Sequence, residues 1–198
     1  MIPTPNLNIA MKKTILFSVL IASLFVVNAQ TPANVPKLNN QIKLDLSIGG
    51  IGLTYEPRLG GKTTIDLSAG IGGGYDVSED NVGYDWNILQ PAFYFSATPK
   101  FFYNRKRRFD NGKNVDLNSG NYIGLRVKYT TAGTAQDGST RQSLLVNTHW
   151  GIQRALGKRW SLNAHVGVGY AEDLDYQYGT IYPSLDLKFS YILWKGNS

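Results

Sequence analysis

The chain has 198 residues, no cysteine, 42% hydrophobic and only 17% charged residues, and its 21 glycines accompany 12 tyrosines. That composition excludes disorder and collagen, and the lack of cysteine excludes a disulfide framework and thiolate metal sites. A formal charge of +6 is too mild to argue for nucleic acid, yet the charge fraction lies below the roughly 25% of ordinary soluble domains and calls for a reason.

The first reason lies at residues 12–29. Lys12 and Lys13 precede an apolar stretch from Thr14 to Val27, and Val27-Asn28-Ala29 places small residues where a signal peptidase reads. This is the pattern of a secretory signal peptide, too short for a spanning helix, which needs about 20 apolar residues. Met11 is expected to be the start, residues 1–10 an upstream extension, and cleavage to follow Ala29. Loss of Lys12 and Lys13 leaves 18 basic and 14 acidic residues, a net charge of +4. Residues 30–40 form an N-terminal segment, 41–194 the main domain and 195–198 a short tail.

Past Pro36 the spacing is that of strands. Seven runs alternate apolar with small or polar side chains: 41–56, 62–76, 90–103, 121–131, 142–154, 159–172 and 180–194. Globular strands average about 5 to 6 residues, whereas a strand crossing a bilayer at a tilt needs about 9 to 11. The lengths therefore predict an all-β fold, an up-and-down antiparallel transmembrane β-barrel. Splitting the first run at Gly49-Gly50 would leave halves too short to span. The eighth strand that an even-numbered barrel requires is then sought in residues 31–40, against the objection of Pro32 and Pro36.

Alternation sorts the faces. In the second run Ile65, Leu67, Ala69, Ile71 and Tyr75 oppose Asp66, Ser68, Gly70, Gly72 and Gly74; in the sixth, Trp160, Leu162, Ala164, Val166, Val168 and Tyr170 oppose Ser161, Asn163, His165, Gly167 and Gly169. In the seventh, Leu185, Leu187, Phe189, Tyr191 and Leu193 oppose Ser184, Asp186, Lys188 and Ser190. A soluble lipocalin-like barrel would turn the apolar set inward. Here the polar set is half glycine and serine, which suits a narrow lumen better than a solvated surface. Tyr55, Trp160 and Tyr191 near short turns, and Tyr75 and Tyr170 near long loops, read as two interfacial girdles.

A hairpin pattern recurs. Gly52 to Gly60 leading into Ile65 to Tyr75 is echoed by Gly151 to Gly157 leading into Leu162 to Tyr170, each with a tight Leu-Gly turn. The turns at 59–61 and 156–158 are short and are assigned to the periplasm. The loops 76–90, with Glu79, Asp80, Tyr84, Asp85 and Trp86, 131–142, with Asp137 and Gly138, and 173–179 are assigned to the outside. Strict alternation puts the long connection 104–120 on the periplasmic side, where its run Arg105, Lys106, Arg107 and Arg108 reads as a solvated loop.

The candidate site residues lie in the lumen phase. Lys43, Lys100, Arg126, Lys128 and Lys188 face Asp45, Asp66 and Asp186 there, and an ion-pair network is expected because unpaired buried charges are costly. A wide anion-selective channel is not expected, since about eight strands enclose only enough room for side chains. The two histidines, His149 and His165, share that face on adjacent strands. A three-residue turn centred on Gly157 would place them directly opposite each other. They read as packed, hydrogen-bonded lumen residues, with a metal or pH-responsive pair as the alternative. No cofactor is expected, because phosphate loops, zinc-ligand spacings and dinucleotide fingerprints are missing from the sequence.

These strands resemble the small outer-membrane β-barrel proteins of Gram-negative bacteria, of the kind that includes OmpX, OmpW and the membrane domain of OmpA. The resemblance covers about residues 41–194 and rests on the alternation, the Gly-aromatic strand ends and the last strand, Tyr182 to Leu193. That strand is similar to the assembly signal read by the barrel-insertion machinery, departing from it in the Lys195-Gly-Asn-Ser198 that follows Trp194. The resemblance implies a membrane protein in the cell outer membrane, with the lipid bilayer and the insertion machinery as partners. It implies a structural or interaction role through the external loops, among them Tyr84, Trp86 and Tyr178, rather than an enzyme. A narrow transport barrel for small or apolar solutes and a subunit of a larger outer-membrane complex remain alternatives. A lipid-modifying barrel is disfavoured, because the serine that such a deacylase carries two residues after its histidine is Gly151 here.

Overall fold

The computed structural model describes residues 35–85, 91–133 and 141–196. The expected signal peptide with its cleavage point after Ala29, and Trp86, Asp137 and Gly138 in the loops, lie outside the described residues. Eight strands are β1 (Gln41–Ser47), β2 (Gly50–Glu56), β3 (Thr63–Gly72), β6 (Ala92–Phe102), β7 (Gly120–Thr130), β8 (Ser143–Ala155), β9 (Trp160–Asp173) and β10 (Gly179–Lys195). They close into an antiparallel barrel in the order β1-β10-β9-β8-β7-β6-β3-β2. The seam is the pairing of the first strand with the last, from Gln41↔Lys195 to Ser47↔Lys188, with one irregularity where Ile42 pairs Trp194 and Lys43 pairs Ile192. A separate hairpin, β4 (Gly74–Val77) with β5 (Val82–Asp85), and a short helix, α1 (Arg105–Asp110), complete the regular elements among the described residues.

The first run corrects the expectation. It divides into β1 and β2 at a two-residue turn, Ile48 and Gly49, flanked by the pair Ser47↔Gly50. Gly50 has φ +126°, and a Cβ there would lie 2.1 Å from the Ile71 carbonyl oxygen, so no other residue fits. The eighth strand is thus the second half of this run, and residues 36–40 form no strand. The premise that failed was that every strand spans the full height. β1 and β2 have 7 residues each, while β8, β9 and β10 have 13, 14 and 17.

The split brings both chain ends of the barrel to one end, together with the connections 57–62, 103–119 and 156–159. The opposite end carries 48–49, the β4–β5 hairpin, 131–133, 141–142 and 174–178. The grouping of the long and short connections is the one expected from alternation.

Both ends are closed. At the lower end Leu38 packs against Phe102 and Tyr122, and Asn39 and Asn118 exchange two hydrogen bonds, Asn39 N–H to the Asn118 side chain at 2.8 Å and Asn118 Nδ2 to the Asn39 carbonyl at 2.9 Å. The basic run does not form a wholly solvated loop. Arg105 is buried and donates to the carbonyls of Val115 (2.9 Å), Ser119 (3.0 Å) and Pro36 (2.8 Å), tying helix, loop and N-terminal segment into a floor. Burial pulls its guanidinium down to about 10, which leaves it charged at neutral pH. Lys106 pairs with Asp110 at the surface, 2.6 Å away.

At the upper end the β4–β5 hairpin bends over the mouth. Val77 is fully buried against Leu145 and Ala171, with Tyr75, Val82 and Tyr182 around it, and the Arg141 N–H donates to the Tyr75 carbonyl at 3.2 Å. Tyr75 and Tyr84 therefore belong to a roof. The expected girdle role of Tyr75 is corrected by this fold-over, while Tyr84, its ring 5.0 Å from that of Tyr75, stays half-exposed.

Candidate functional site

The barrel is inverted in polarity relative to a soluble one. Ile42, Leu44, Leu46, Leu53, Leu67, Phe95, Val166, Val168, Leu187 and Phe189 are exposed on the outside, while Lys43, Asp45, Glu56, Asp66, Lys100 and Lys188 are buried within. The lumen is where this chain concentrates its chemistry.

In its lower half two lysines and two carboxylates alternate. Lys43 Nζ lies 2.9 Å from Glu56 and 3.2 Å from Asp66; Lys100 Nζ lies 2.7 Å from Glu56 and 2.8 Å from Asp66. Lys188 extends the cluster to Asp45 at 3.0 Å and Asp66 at 3.5 Å. Thr64 donates to Glu56 at 2.9 Å and Thr54 to Asp45 at 2.5 Å. Gln153 accepts from Lys100 at 3.0 Å and donates to the Leu117 carbonyl at 2.9 Å, joining the network to the floor. Such charges hold one another in place because each satisfies the other's lost hydration.

The network contains a residue the sequence reading missed. Glu56 was taken as the end of a strand running into the Pro57 turn, yet it is fully buried and touches both central lysines. Its parity was the available signal, since Gly50, Gly52, Thr54 and Glu56 share one face of β2. Among the described residues the strand interiors carry five cations, Lys43, Lys100, Arg126, Lys128 and Lys188, and five carboxylates, Asp45, Glu56, Asp66, Asp186 and, at the upper end of β9, Asp173, which is taken up by Arg141 at 3.3 Å.

Higher up, Arg126 meets Asp186, with Nη1 and Nη2 at 3.2 and 3.3 Å from one carboxylate oxygen. Lys128 is different. It is 8% exposed, and among the described residues no carboxylate lies within ion-pair distance of it. Its ammonium donates to the Tyr75 hydroxyl at 3.3 Å and sits 5.0 and 4.8 Å from the ring centres of Tyr75 and Tyr94.

His149 and His165 come together, but not as direct partners. The strands pair Ala155 with Ser161, His149 with Gly167 and Gly151 with His165, two residues along from the expected register. The shift preserves parity, so both rings stay in the lumen, stacked diagonally with centroids 4.0 Å apart and planes at 28°. His149 Nδ1 lies 2.8 Å from the Asn147 carboxamide oxygen, and His165 Nε2 lies 3.5 Å from Ser184 Oγ. Facing rings do not aim lone pairs at one point, and no three His, Cys, Asp or Glu side chains gather to hold a metal among the described residues. Replacing both with Gln is expected to cost about 1 kcal/mol, since the ring stacking is lost while a carboxamide can still hydrogen-bond to Asn147 and Ser184. Chemical unfolding of the double variant, with metal analysis of the wild type, checks this.

The lumen glycines have a packing reason. Tyr122 lies over Gly151, where a Cβ would be 2.3 Å from the ring, and His149 lies over Gly124, where a Cβ would be 2.5 Å from Nε2. Each ring occupies space that its neighbour's missing side chain leaves.

No protein-family model, curated protein or solved structure matches the chain.

Proposed function

We propose that this chain is an outer-membrane β-barrel of a Gram-negative cell, exported by its signal peptide and held in the bilayer by the apolar outer face. The observation that carries the reading is the inverted polarity: a belt of exposed Leu, Ile, Val and Phe around a charged interior. Water would penalise that belt, at about 25 cal/mol for each Å² of apolar surface, and lipid would not. Trp160 stacks edge-on with Tyr191 at 5.0 Å, and Trp150 Nε1 donates to the Tyr103 hydroxyl at 2.7 Å, both towards the lower end. These amphipathic rings suit a membrane interface.

Within that setting the barrel works as a structural or interaction protein rather than an enzyme or a wide pore. The ion-pair network fills the lower lumen, and the floor closes it beneath. On the opposite end Tyr176 and Tyr178 stack in parallel, 6.2 Å apart, with the Arg141 guanidinium 4.2 Å over Tyr176. An exposed aromatic and cationic cluster of this kind is the natural contact for a partner or surface, including a larger outer-membrane complex. A second reading, a narrow barrel for apolar solutes, is favoured by the uneven rim above β1 and β2.

Extraction should require detergent, and the folded protein should migrate faster unheated than boiled on a denaturing gel. An epitope inserted between Val77 and Val82 should be reachable on intact cells, and one at Gly157 should not. Recovery as a soluble monomer overturns the membrane reading, and the reverse accessibility inverts the topology.

A further inference from the structure

The short β1–β2 hairpin leaves the wall of the barrel incomplete. β1 pairs with β10 only as far as Ser47↔Lys188, and the Ile48 N–H makes one last bond to the Leu187 carbonyl, at 3.1 Å. Above that point β10 continues from Gly179 to Asp186 with β9 on one side and, among the described residues, no strand on the other. Pro183, which has no N–H to offer a ladder, sits in this free edge. The result is a notch in the side of the barrel, above the Ile48-Gly49 turn.

A cavity of about 210 Å³ lies behind the notch. Its lining includes lumen residues Arg126, Lys128 and Asp186, the roof residues Tyr75 and Tyr84, and the outward-facing Leu185. Residues of both phases of β10 line this space, which reaches the edge of the wall beside the Ile48-Gly49 turn. The roof covers it from above, so the notch is its side door. The aliphatic residues most exposed anywhere in the barrel frame that door: Ile181 at 73%, Leu185 at 70% and Ile48 at 60%.

The chemistry at the inner end is cationic. Arg126 and Asp186 neutralise each other, which leaves Lys128 as the excess charge. The Arg126 Nε is buried without a partner. The Tyr75 hydroxyl accepts from Lys128, and burial pushes it up to about 12, so it keeps its own proton to donate. Any anion entering through the notch sheds water against Ile181 and Leu185, and one with an apolar tail offsets that cost by burying the tail there.

We infer that this cavity binds a long-chain carboxylate, an amphiphile with one anionic head, which enters sideways through the notch. The inference rests on the membrane reading above, because the door opens onto the apolar belt. The carboxylate sits beside the Lys128–Tyr75 pair, accepting from both, and supplies the counter-charge that Lys128 lacks among the described residues. At about 30 Å³ for each water-sized group, the cavity takes the head and about the first half-dozen chain atoms. The remainder of the tail lies in the notch against Ile48 and Leu185.

The test uses the mature protein reconstituted in phosphatidylcholine vesicles with [1-13C]dodecanoate, following the carboxylate resonance of a bound pool distinct from the lipid-dissolved one. One saturable site is expected in the wild type. Lys128→Met should weaken it about tenfold or more, as expected for loss of a charge-assisted bond, and Lys128→Arg should retain it within a few-fold. Lys128→Met removes a charge without orphaning a carboxylate, so it should assemble at least as well as wild type. Leu185→Trp, which fills the notch, should slow exchange of the bound pool. Normal insertion and normal gel mobility without a saturable site overturn this inference and leave the membrane reading standing. Failure of the wild type to insert overturns both. Competition by acetate as effective as by dodecanoate assigns the cavity to soluble anions entering from outside and overturns the side-entry proposal, as does equal affinity in Lys128→Met.

Discussion

Replacing Glu56 with Ala is expected to destabilise the barrel by about 3 to 5 kcal/mol, the cost of breaking a buried pair from one side. Glu56 is the acceptor shared by Lys43 at 2.9 Å, Lys100 at 2.7 Å and Thr64 at 2.9 Å. Without it two buried ammonium groups converge on Asp66, which already serves Lys188. The cost belongs to the orphaned lysines rather than to the lost contact, and that distinction is measurable. Glu56→Met combined with Lys43→Met removes one charge of each sign and leaves Lys100 on Asp66 at 2.8 Å and Lys188 on Asp45 at 3.0 Å. The double variant should therefore be more stable than Glu56→Ala, despite losing more polar contacts. Urea unfolding in vesicles, followed by the fluorescence of the outward-facing Trp150, Trp160 and Trp194, gives both values. If the double variant is the less stable, the network stabilises through its contacts rather than through charge balance.

The barrel was legible in the sequence because its two faces differ in kind. Val166 and Val168 against His165 and Gly167 is an alternation that survives any error in register, since a slip of two residues keeps parity. The His149 and His165 pairing shows this: a four-residue turn, with the Leu156 N–H bonded to the Trp160 carbonyl at 2.7 Å, moved the partners along but left both rings inside. The split at Ile48-Gly49 was hidden by an assumption about height, not by a weak turn signal, since Gly49-Gly50 stands there plainly. Once every strand was required to span, the Gly49-Gly50 turn read as strand.

What the pattern could not supply was closure in three dimensions. Arg105 sits among three other basic residues and looks like them, and only the carbonyls of Pro36, Val115 and Ser119, brought from distant parts of the chain, make it a buried link. Tyr75 continues the apolar phase of β3 by count, but Gly72 and Gly73 let the chain turn inward, and its ring covers Lys128 instead of facing lipid. The missing partner of Lys128 was not within reach of counting, because Asp173 at the end of β9 evens the tally and only its pairing with Arg141, at 3.3 Å, takes it away from the strand cations.

Arginine placed at Leu67, Val166 or Leu187 should cost about 2 to 4 kcal/mol each, the penalty for a lipid-facing cation near the middle of a bilayer. The three positions lie on β3, β9 and β10 and are 45%, 51% and 39% exposed, so none fills a core. In a water-soluble barrel Arg at such open sites would change stability by about 0.5 kcal/mol or less, and Leu67→Arg could even help by covering an apolar surface with charge. The sign and size therefore separate a lipid environment from an aqueous one. Gly60 is the internal reference: it lies in the lower turn with no atom within 4 Å of a Cβ built there, so Gly60→Arg should be nearly neutral in either setting. Unfolding titrations of the four variants in vesicles, compared with the wild type, give the ordering. A depth profile should also emerge, because arginine snorkels towards the nearer interface. Arg at Leu193, near the lower end of β10, should accordingly cost less than Arg at Leu187, six residues higher on the same strand. Equal tolerance at Leu67, Val166, Leu187 and Gly60 would mean that the apolar belt never meets lipid.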